Sequence, residues 1–328
     1  MNEMLETLVT GRVLDTREAK EALKTLAGGN IPDTLIAAFL TVYLMRDITP
    51  EELLGFRDAL LELSVPVNID KDMLLDVCGT GGDGKDTFNI STASAFVLAG
   101  AGFTVIKHGN YGISSACGSS NVLEYLGYNF SNQQEKLRKE AETAGITYLH
   151  APLFHPAMKS VGLVRKTLKM KTFFNILGPM VNPARPTHQL IGVYDKKIQD
   201  LYAAVYKNTG IAFQIIWSLD GYDEISLTSD VRILSQEGEK IFAPADLASN
   251  TCKPEELAGG KTIKESADIF LSVLKGEGTR AQQEVVLANA SMALKLCLPG
   301  TSFDVCKKMA IESVESGKAF ASLKKLLN

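Results

Sequence analysis

Cysteine is sparse and badly placed for any structural chemistry. The five residues at 78, 117, 252, 297 and 306 form no C-x-x-C pair and are odd in number. This argues against a disulfide framework or a zinc site and for reduced thiols in a cytoplasmic protein. No stretch of eighteen consecutive apolar residues occurs, so no membrane-spanning helix is expected. The opening residues, Met1 to Glu6, lack a basic segment followed by an apolar one, so no secretion signal is expected either. Basic runs and tails are missing too. With 34 Lys and Arg against 38 Asp and Glu the formal charge is −4, which argues against a nucleic-acid-binding surface. His150 and His155 have no partner at metal-ligand spacing and read as structural or loop residues. There is no internal repeat and no low-complexity segment.

What is present is 45% hydrophobic content over 328 residues, enough for a large core and a division into two domains. The first part of the chain reads as amphipathic helices. Ala19, Ala22, Leu23 and Leu26 share one helical face, which Gly28 and Gly29 end. Thr49-Pro50 followed by Glu52 combines an N-cap, a proline at the first helical position and a capping glutamate. Leu35 to Met45 is apolar almost all round, and such a helix needs cover on more than one side. Val65 to Asp70 reads as a linker.

From residue 73 onward short apolar runs alternate with longer helical segments, the mark of an α/β fold with a mostly parallel sheet flanked by helices. The strand candidates are 74–77, 103–107, 146–149, 190–194 and 212–217. Ser131 to Gln134 has the letters of a capping box opening a helix that ends at Gly145. After Lys261 the chain is mainly helical, with one long buried helix over 281–298.

The stretch from Leu74 to Asn110 carries the chemistry. Four glycines fall in the six residues Gly79-Thr-Gly-Gly-Asp-Gly84, where positive φ and the missing Cβ let backbone N–H groups close around an anion. Three phosphate-binding readings compete. Gly79, Gly81 and Gly84 satisfy G-x-G-x-x-G, but the next strand ends in Lys107 rather than the acid that a dinucleotide ribose needs, so only a 2′-phosphate cofactor survives there. Gly79 to Lys85 spells G-x-x-x-x-G-K, yet Asp86 occupies the place of the metal-binding hydroxyl of a P-loop. In the third reading Asn89, Ser91 and Thr92 open an Ala-rich helix whose N-terminus favours anions. A second polar loop then supplies Lys107 to Asn110, Ser114 and Ser115, followed by Gly118 to Ser120. Each hydroxyl alone could be an ordinary N-cap.

Gly79-Thr-Gly-Gly-Asp-Gly84, Thr87-Phe-Asn-Ile-Ser-Thr92, Lys107-His-Gly-Asn110, His155-Pro-Ala-Met-Lys159, Phe174-Asn-Ile-Leu-Gly-Pro179 and Asp223-Glu224 resemble, in order, the signature segments of the anthranilate phosphoribosyltransferase family. The resemblance implies transfer of the phosphoribosyl group of phosphoribosyl pyrophosphate to the amine of anthranilate, in tryptophan biosynthesis. It implies a helical N-terminal domain over 1–68, joined by helices near 160–180 and carrying a homodimer interface. An α/β donor-binding domain would cover 69–328. Donor contacts would be Gly79, Gly82, Asp83, Thr87, Asn89, Ile90, Ser91, Thr92, Lys107, Ser115 and Ser119. Anthranilate would meet Gly79, His108, Asn110, Arg165, Gly178 and Pro179. By spacing alone Arg165 belongs to a solvated helix face and Asp223-Glu224 to a hydrated turn; only the resemblance makes them a carboxylate contact and, with Ser91, a site for two Mg²⁺ ions per subunit. No nucleophile or obligate acid or base is implied, because an aniline nitrogen already carries a reactive lone pair.

The chain departs from the family pattern at Tyr111, where arginine is usual, at Asn121 for a common aspartate, and at Lys169 and Lys171 for glycine and arginine. Two alternatives keep the same fold. A nucleoside phosphorylase-like enzyme would carry a different, lysine-rich phosphate loop. A non-catalytic nucleic-acid-binding relative would add basic patches.

Overall fold

A computed structural model describes residues 1–112 and 117–328. Helices α1 (Asn2–Val9), α2 (Thr16–Ala27), α3 (Asp33–Met45) and α4 (Pro50–Leu63) open the chain. There follow β1 (Leu75–Gly79), α5 (Ile90–Gly100), β2 (Val105–Gly109), α6 (Ser119–Tyr125), α7 (Gln134–Thr143) and β3 (Ile146–His150). Three helices, α8 (Ala151–Phe154), α9 (Met158–Leu168) and α10 (Phe174–Leu177), precede β4 (His188–Gly192), α11 (Lys196–Tyr206), β5 (Ala212–Ser218), β6 (Val231–Ser235) and β7 (Gly238–Phe242). The chain closes with α12 (Pro244–Leu247), α13 (Ile263–Leu274), α14 (Arg280–Cys297), α15 (Phe303–Glu315) and α16 (Lys318–Leu327). Residues 1–66 with 151–183 form one compact unit and residues 67–150 with 184–328 a second.

In the helical unit α2 packs on α4 at close range because Gly55 has no side chain; a Cβ there would run into the α2 backbone at Thr16 and Lys20 and into the Ala19 methyl. Phe56 stacks on Phe173 with ring centroids 4.6 Å apart, and Phe39 meets both rings edge-on. Both α2 and α4 begin with a reciprocal capping box, Asp15 with Glu18 and Thr49 with Glu52. Glu52 does more than cap. Its fully buried carboxylate accepts from the Arg46 guanidinium, the Tyr43 hydroxyl at 3.0 Å and the amides of Leu14 at 3.0 Å and Thr49 at 3.1 Å. At the end of α9, Lys169 sits at φ 52°, the left-handed region that favours glycine, which gives one of the family departures a backbone cost.

The second unit holds a seven-stranded sheet in the order β3-β2-β1-β4-β5-β6-β7. The first five strands are parallel and the last two antiparallel. All five strand candidates are present, each shifted by one or two residues. The β6–β7 hairpin is an addition to the expected parallel sheet. Helix α5 is buried nearly all round, packed on β1 and on α14 and α16. Gly100 permits the approach of α16, since a Cβ would overlap Ser313 and the Ala319 amide. One expectation fails. Ser131 does not cap α7, whose N-cap is Gln133; its hydroxyl instead accepts the Gln133 amide at 3.1 Å, two residues too early to cap the helix.

Burial alone would raise the Glu52 carboxyl, but Arg46 and the two amides outweigh it and hold it below the ordinary value. The stability this contributes is complete above the unfolded carboxyl value of about 4.3 and is lost as the pH falls through the lower folded value. Glu52→Gln should therefore destabilise the protein at neutral pH by about 2 to 4 kcal/mol, with the gap to wild type narrowing in acid. Denaturant titrations at two pH values check this; a pH-independent gap would show that the charge is not what matters.

Candidate active site

Strand order reverses between β1 and β4: from β1 the chain builds outward to β2 and β3, then returns to build β4 and β5 on the other side. Ligands of open α/β sheets bind at such a point, beyond the carboxyl ends of the strands. Here both strands end in paired glycines, Gly79 and Gly192. The loop after β1 turns through Gly81, Gly82 and Gly84 at φ 67°, 79° and 73°. It is fastened at both ends. The Thr80 amide donates to Gly192 O at 2.9 Å and the Gly81 amide to Asp223 Oδ2 at 2.6 Å. Beyond the turn, Thr87 pairs with Ala258, and the Phe88 amide donates to Leu257 O at 3.0 Å. Asn89 then occupies the N-cap position of α5 without a side-chain capping bond and donates from Nδ2 to Cys117 O at 3.0 Å. Its buried Oδ1 meets no donor among the described residues, a group that a ligand hydroxyl or water would satisfy.

Over the strand ends lie Asp223 and Glu224, only 7% and 8% exposed. Burial raises both carboxyls above their ordinary values. Asp223 is pushed further by Glu224 and Asp83, while Lys107 and Ser91 partly offset the rise at Glu224. The pair is held in place by its own main chain. Ser218 Oγ donates to Glu224 O at 2.7 Å, and Asn289, in the middle of α14, clamps Ile225 by accepting from its N–H at 3.1 Å and donating to its carbonyl at 2.9 Å. The loop can approach because Gly79 and Gly192 have no side chains. A Cβ on Gly79 would strike the Asp223 carboxylate, and one on Gly192 the Asp223 carbonyl.

Lys107, on β2, is 2% exposed. Its ammonium donates to Val77 O at 2.7 Å and reaches Ser91 Oγ at 3.4 Å. Ser91 and Lys107 both favour the charged form of Glu224. The lysine therefore compensates the acidic pair from beneath. On the other side of the loop, Lys85 lies over the Tyr222 ring at 4.6 Å, next to the pair in sequence.

A hard divalent cation suits this arrangement. Two buried carboxylates that raise each other's proton affinity are relieved by positive charge, and oxygen is the ligand type that Mg²⁺ takes. Among the described residues no group of three His, Cys, Asp or Glu is arranged to hold a metal. The remaining ligands would thus be phosphate oxygens and water.

The structure brings Gly79, Gly82, Asp83, Thr87, Asn89, Ser91, Lys107, His108, Asn110, Ser119, Asp223 and Glu224 into the α/β unit, around the ends of β1, β2 and β4. Within this segment Ile90 lies in the hydrophobic core with its amide donating to Phe88 O at 2.7 Å, Thr92 is 1% exposed, and Ser91 offers a partly exposed hydroxyl. Ser115 lies outside the described residues. Arg165, Gly178 and Pro179 belong to the helical unit, where the Arg165 guanidinium lies 5.0 Å from the Phe174 ring centroid. Gly192 and Asn289 escape a reading of the sequence. The signals were a glycine closing a strand and an amide in the mostly apolar middle of α14.

Two family descriptions match the chain: "Glycosyl transferase family, helical bundle domain" over residues 2–64 and "Glycosyl transferase family, a/b domain" over residues 71–320. The chain is 53% identical to the anthranilate phosphoribosyltransferase of Christiangramia forsetii, over 99% of this chain and 98% of that one. It is 49% identical to that of Cytophaga hutchinsonii, over 99% of both. Among solved structures it is similar to the anthranilate phosphoribosyltransferase of Thermus thermophilus, with a TM-score of 0.93, 30% identity and 98% coverage of both chains. The enzyme of Saccharomyces cerevisiae in complex with PRPP and Mg superposes with a TM-score of 0.91 at 26% identity, over 98% of this chain and 95% of that one.

Gly192→Ala should displace the Asp223 main chain and weaken Mg²⁺-dependent ligand binding by roughly ten- to hundredfold, the scale of losing a metal site's supporting contacts. Calorimetry with circular dichroism as the fold control checks this. An unchanged Mg²⁺ dependence would show that the acidic loop does not need this close approach.

Proposed function

Because the chain belongs to the anthranilate phosphoribosyltransferases of the glycosyl transferase family, we propose that the ends of β1, β2 and β4 are where its phosphoribosyl donor binds. The enzyme transfers the phosphoribosyl group of phosphoribosyl pyrophosphate to the amine of anthranilate and releases pyrophosphate, a step of tryptophan biosynthesis, and it uses Mg²⁺. One observation carries the placement: the buried Asp223-Glu224 pair, compensated by Lys107 and Ser91, sits directly on the glycine loop after β1.

The C1–O bond to pyrophosphate breaks as the anthranilate nitrogen approaches C1, so negative charge grows on the leaving group and positive charge on the ribose. Backbone N–H groups of the loop around Gly82 and Asp83, the Ser91 and Ser119 hydroxyls and the N-terminus of α5 provide preorganised positive potential for the polyanion. Asp223 and Glu224, with Ser91, would hold Mg²⁺, two ions per subunit, which when bound neutralises charge on the departing pyrophosphate. Lys107 acts through its field from below the loop. Asn110 and Arg165 hold the acceptor, the guanidinium matching a planar carboxylate, and His108, Gly178 and Pro179 line its path. The acceptor nitrogen needs no base to make it nucleophilic, and the buried Cys78 thiol, pushed well up by burial, offers no thiolate.

The helical unit is proposed as the homodimer interface. Val9, Met45 and Leu163 are 70%, 85% and 64% exposed, and α3 buries only the face of Ile36, Phe39, Leu40 and Tyr43. A monomer by sedimentation at micromolar concentration would overturn that assignment. Five buried thiols in the reduced state fit a cytoplasmic enzyme.

Loss of anthranilate fluorescence on mixing with phosphoribosyl pyrophosphate and Mg²⁺ tests the whole reading. In that assay Arg165→Ala should raise the Michaelis constant for anthranilate roughly ten- to hundredfold, one charge-assisted contact of about 1.5 to 3 kcal/mol. Its Mg²⁺ dependence should stay at the wild-type value. An unchanged Michaelis constant would remove Arg165 from the acceptor site.

A further inference from the structure

Behind Ser119 runs a chain of hydroxyls that leads away from the loop into the core. Ser119 Oγ lies 2.7 Å from the Tyr148 hydroxyl, which lies 2.8 Å from Ser120 Oγ, which lies 2.8 Å from His150 Nδ1. Tyr148, Ser120 and His150 are buried, at 1%, 0% and 7% exposure. The approach depends on Gly109, since a Cβ there would overlap both the Tyr148 and Ser119 hydroxyl oxygens. His150 is fixed from both sides, stacked on Phe130 with centroids 4.4 Å apart and met edge-on by Tyr111 at 4.9 Å. Tyr111, the departure from the family's arginine, is itself anchored by its hydroxyl to Glu124 at 3.0 Å.

Each hydroxyl in this chain has one proton to give. Two arrangements put a proton in every contact and leave no buried hydroxyl proton without an acceptor. Pointing inward, Ser119 donates to Tyr148, Tyr148 to Ser120 and Ser120 to a bare Nδ1. Pointing outward, a protonated Nδ1 donates to Ser120, Ser120 to Tyr148 and Tyr148 to Ser119, which frees the Ser119 proton. A phosphate oxygen only accepts, so Ser119 can donate to it only in the outward state. The competing internal acceptor, Asn110 O at 3.4 Å, is too distant for a strong bond.

We propose that Tyr148 is a positioning residue for donor binding: with Ser120 and His150 it sets the direction of the Ser119 proton, and the phosphoribosyl donor selects the outward arrangement. This rests on the placement of Ser119 against the donor, and the two can be tested apart. The protein has four histidines, so nitrogen-resolved side-chain NMR can follow His150 individually. Saturation with phosphoribosyl pyrophosphate and Mg²⁺ should shift His150 toward the Nδ1-protonated tautomer. Tyr148→Phe, which keeps the ring, should abolish that shift and raise the donor Michaelis constant roughly ten- to hundredfold, the scale of one hydrogen bond to a charged group. The anthranilate Michaelis constant should not move. If Ser119→Ala leaves the donor constant at the wild-type value, the placement of Ser119 fails and the proposal with it. If Ser119→Ala raises that constant but Tyr148→Phe does not, or if the donor leaves the His150 tautomer unchanged, the hydroxyl chain has no directing role.

Discussion

Two carboxylates buried side by side repel each other and lose the water that would otherwise solvate them, so a fold that keeps Asp223 and Glu224 adjacent must supply the compensation. Here it comes from three directions. Lys107 and Ser91 reach Glu224 from below, the Gly81 amide meets Asp223 from the loop, and Ser218 and Asn289 fix the main chain between them. None of these neutralises the pair fully, as the raised proton affinity of both acids indicates. The remainder leaves the pair with a raised affinity for positive charge, whether a proton or a cation.

The same constraint explains the glycines. Gly79 and Gly192 end neighbouring strands at the point where strand order reverses, and the acidic loop rests on both. The glycine loop is thus built on the acidic loop rather than beside it: Asp223 accepts from the Gly81 amide, so whatever moves one moves the other. Helix α5, buried nearly all round, anchors the far end of the glycine loop and holds Ser91 within reach of the Lys107 ammonium. A ligand bound across the loop therefore rests on secondary structure at each end, the arrangement that keeps a binding site within catalytic tolerance.

Much of this was legible in the letters because the elements are locally consistent. The parallel strands show as apolar runs, and Thr49 with Glu52 caps its helix as the pattern requires. Strands β1 and β2 extend beyond those runs at their carboxyl ends because Gly79 and Gly109 still pair there, although neither adds apolar character. The β6–β7 hairpin was missed because its outer strand is exposed along almost its whole length and carries Glu239 and Lys240 in place of a core face. The acidic pair looked like a hydrated turn because nothing within ten residues shows that the turn is buried. Its cover comes from Gly79 and Asn289, far away in sequence. The burial of Ile90 and Thr92 in α5 was not legible in the motif, because a motif is read as a line whereas this helix is covered on nearly every side.

On the proposed placement, Asp223 and Glu224 make donor binding depend on a divalent cation. Calorimetric titration of phosphoribosyl pyrophosphate into wild type and into the Asp223→Asn, Glu224→Gln double variant, over a series of Mg²⁺ concentrations, tests it most directly. The variant keeps the size of both side chains and removes their charge. The account predicts that wild-type affinity rises with Mg²⁺, while the variant's response moves to concentrations at least about tenfold higher. If both proteins respond to Mg²⁺ alike, with the fold shown intact by circular dichroism, the substrate's own phosphates hold the metal and the acidic pair is structural.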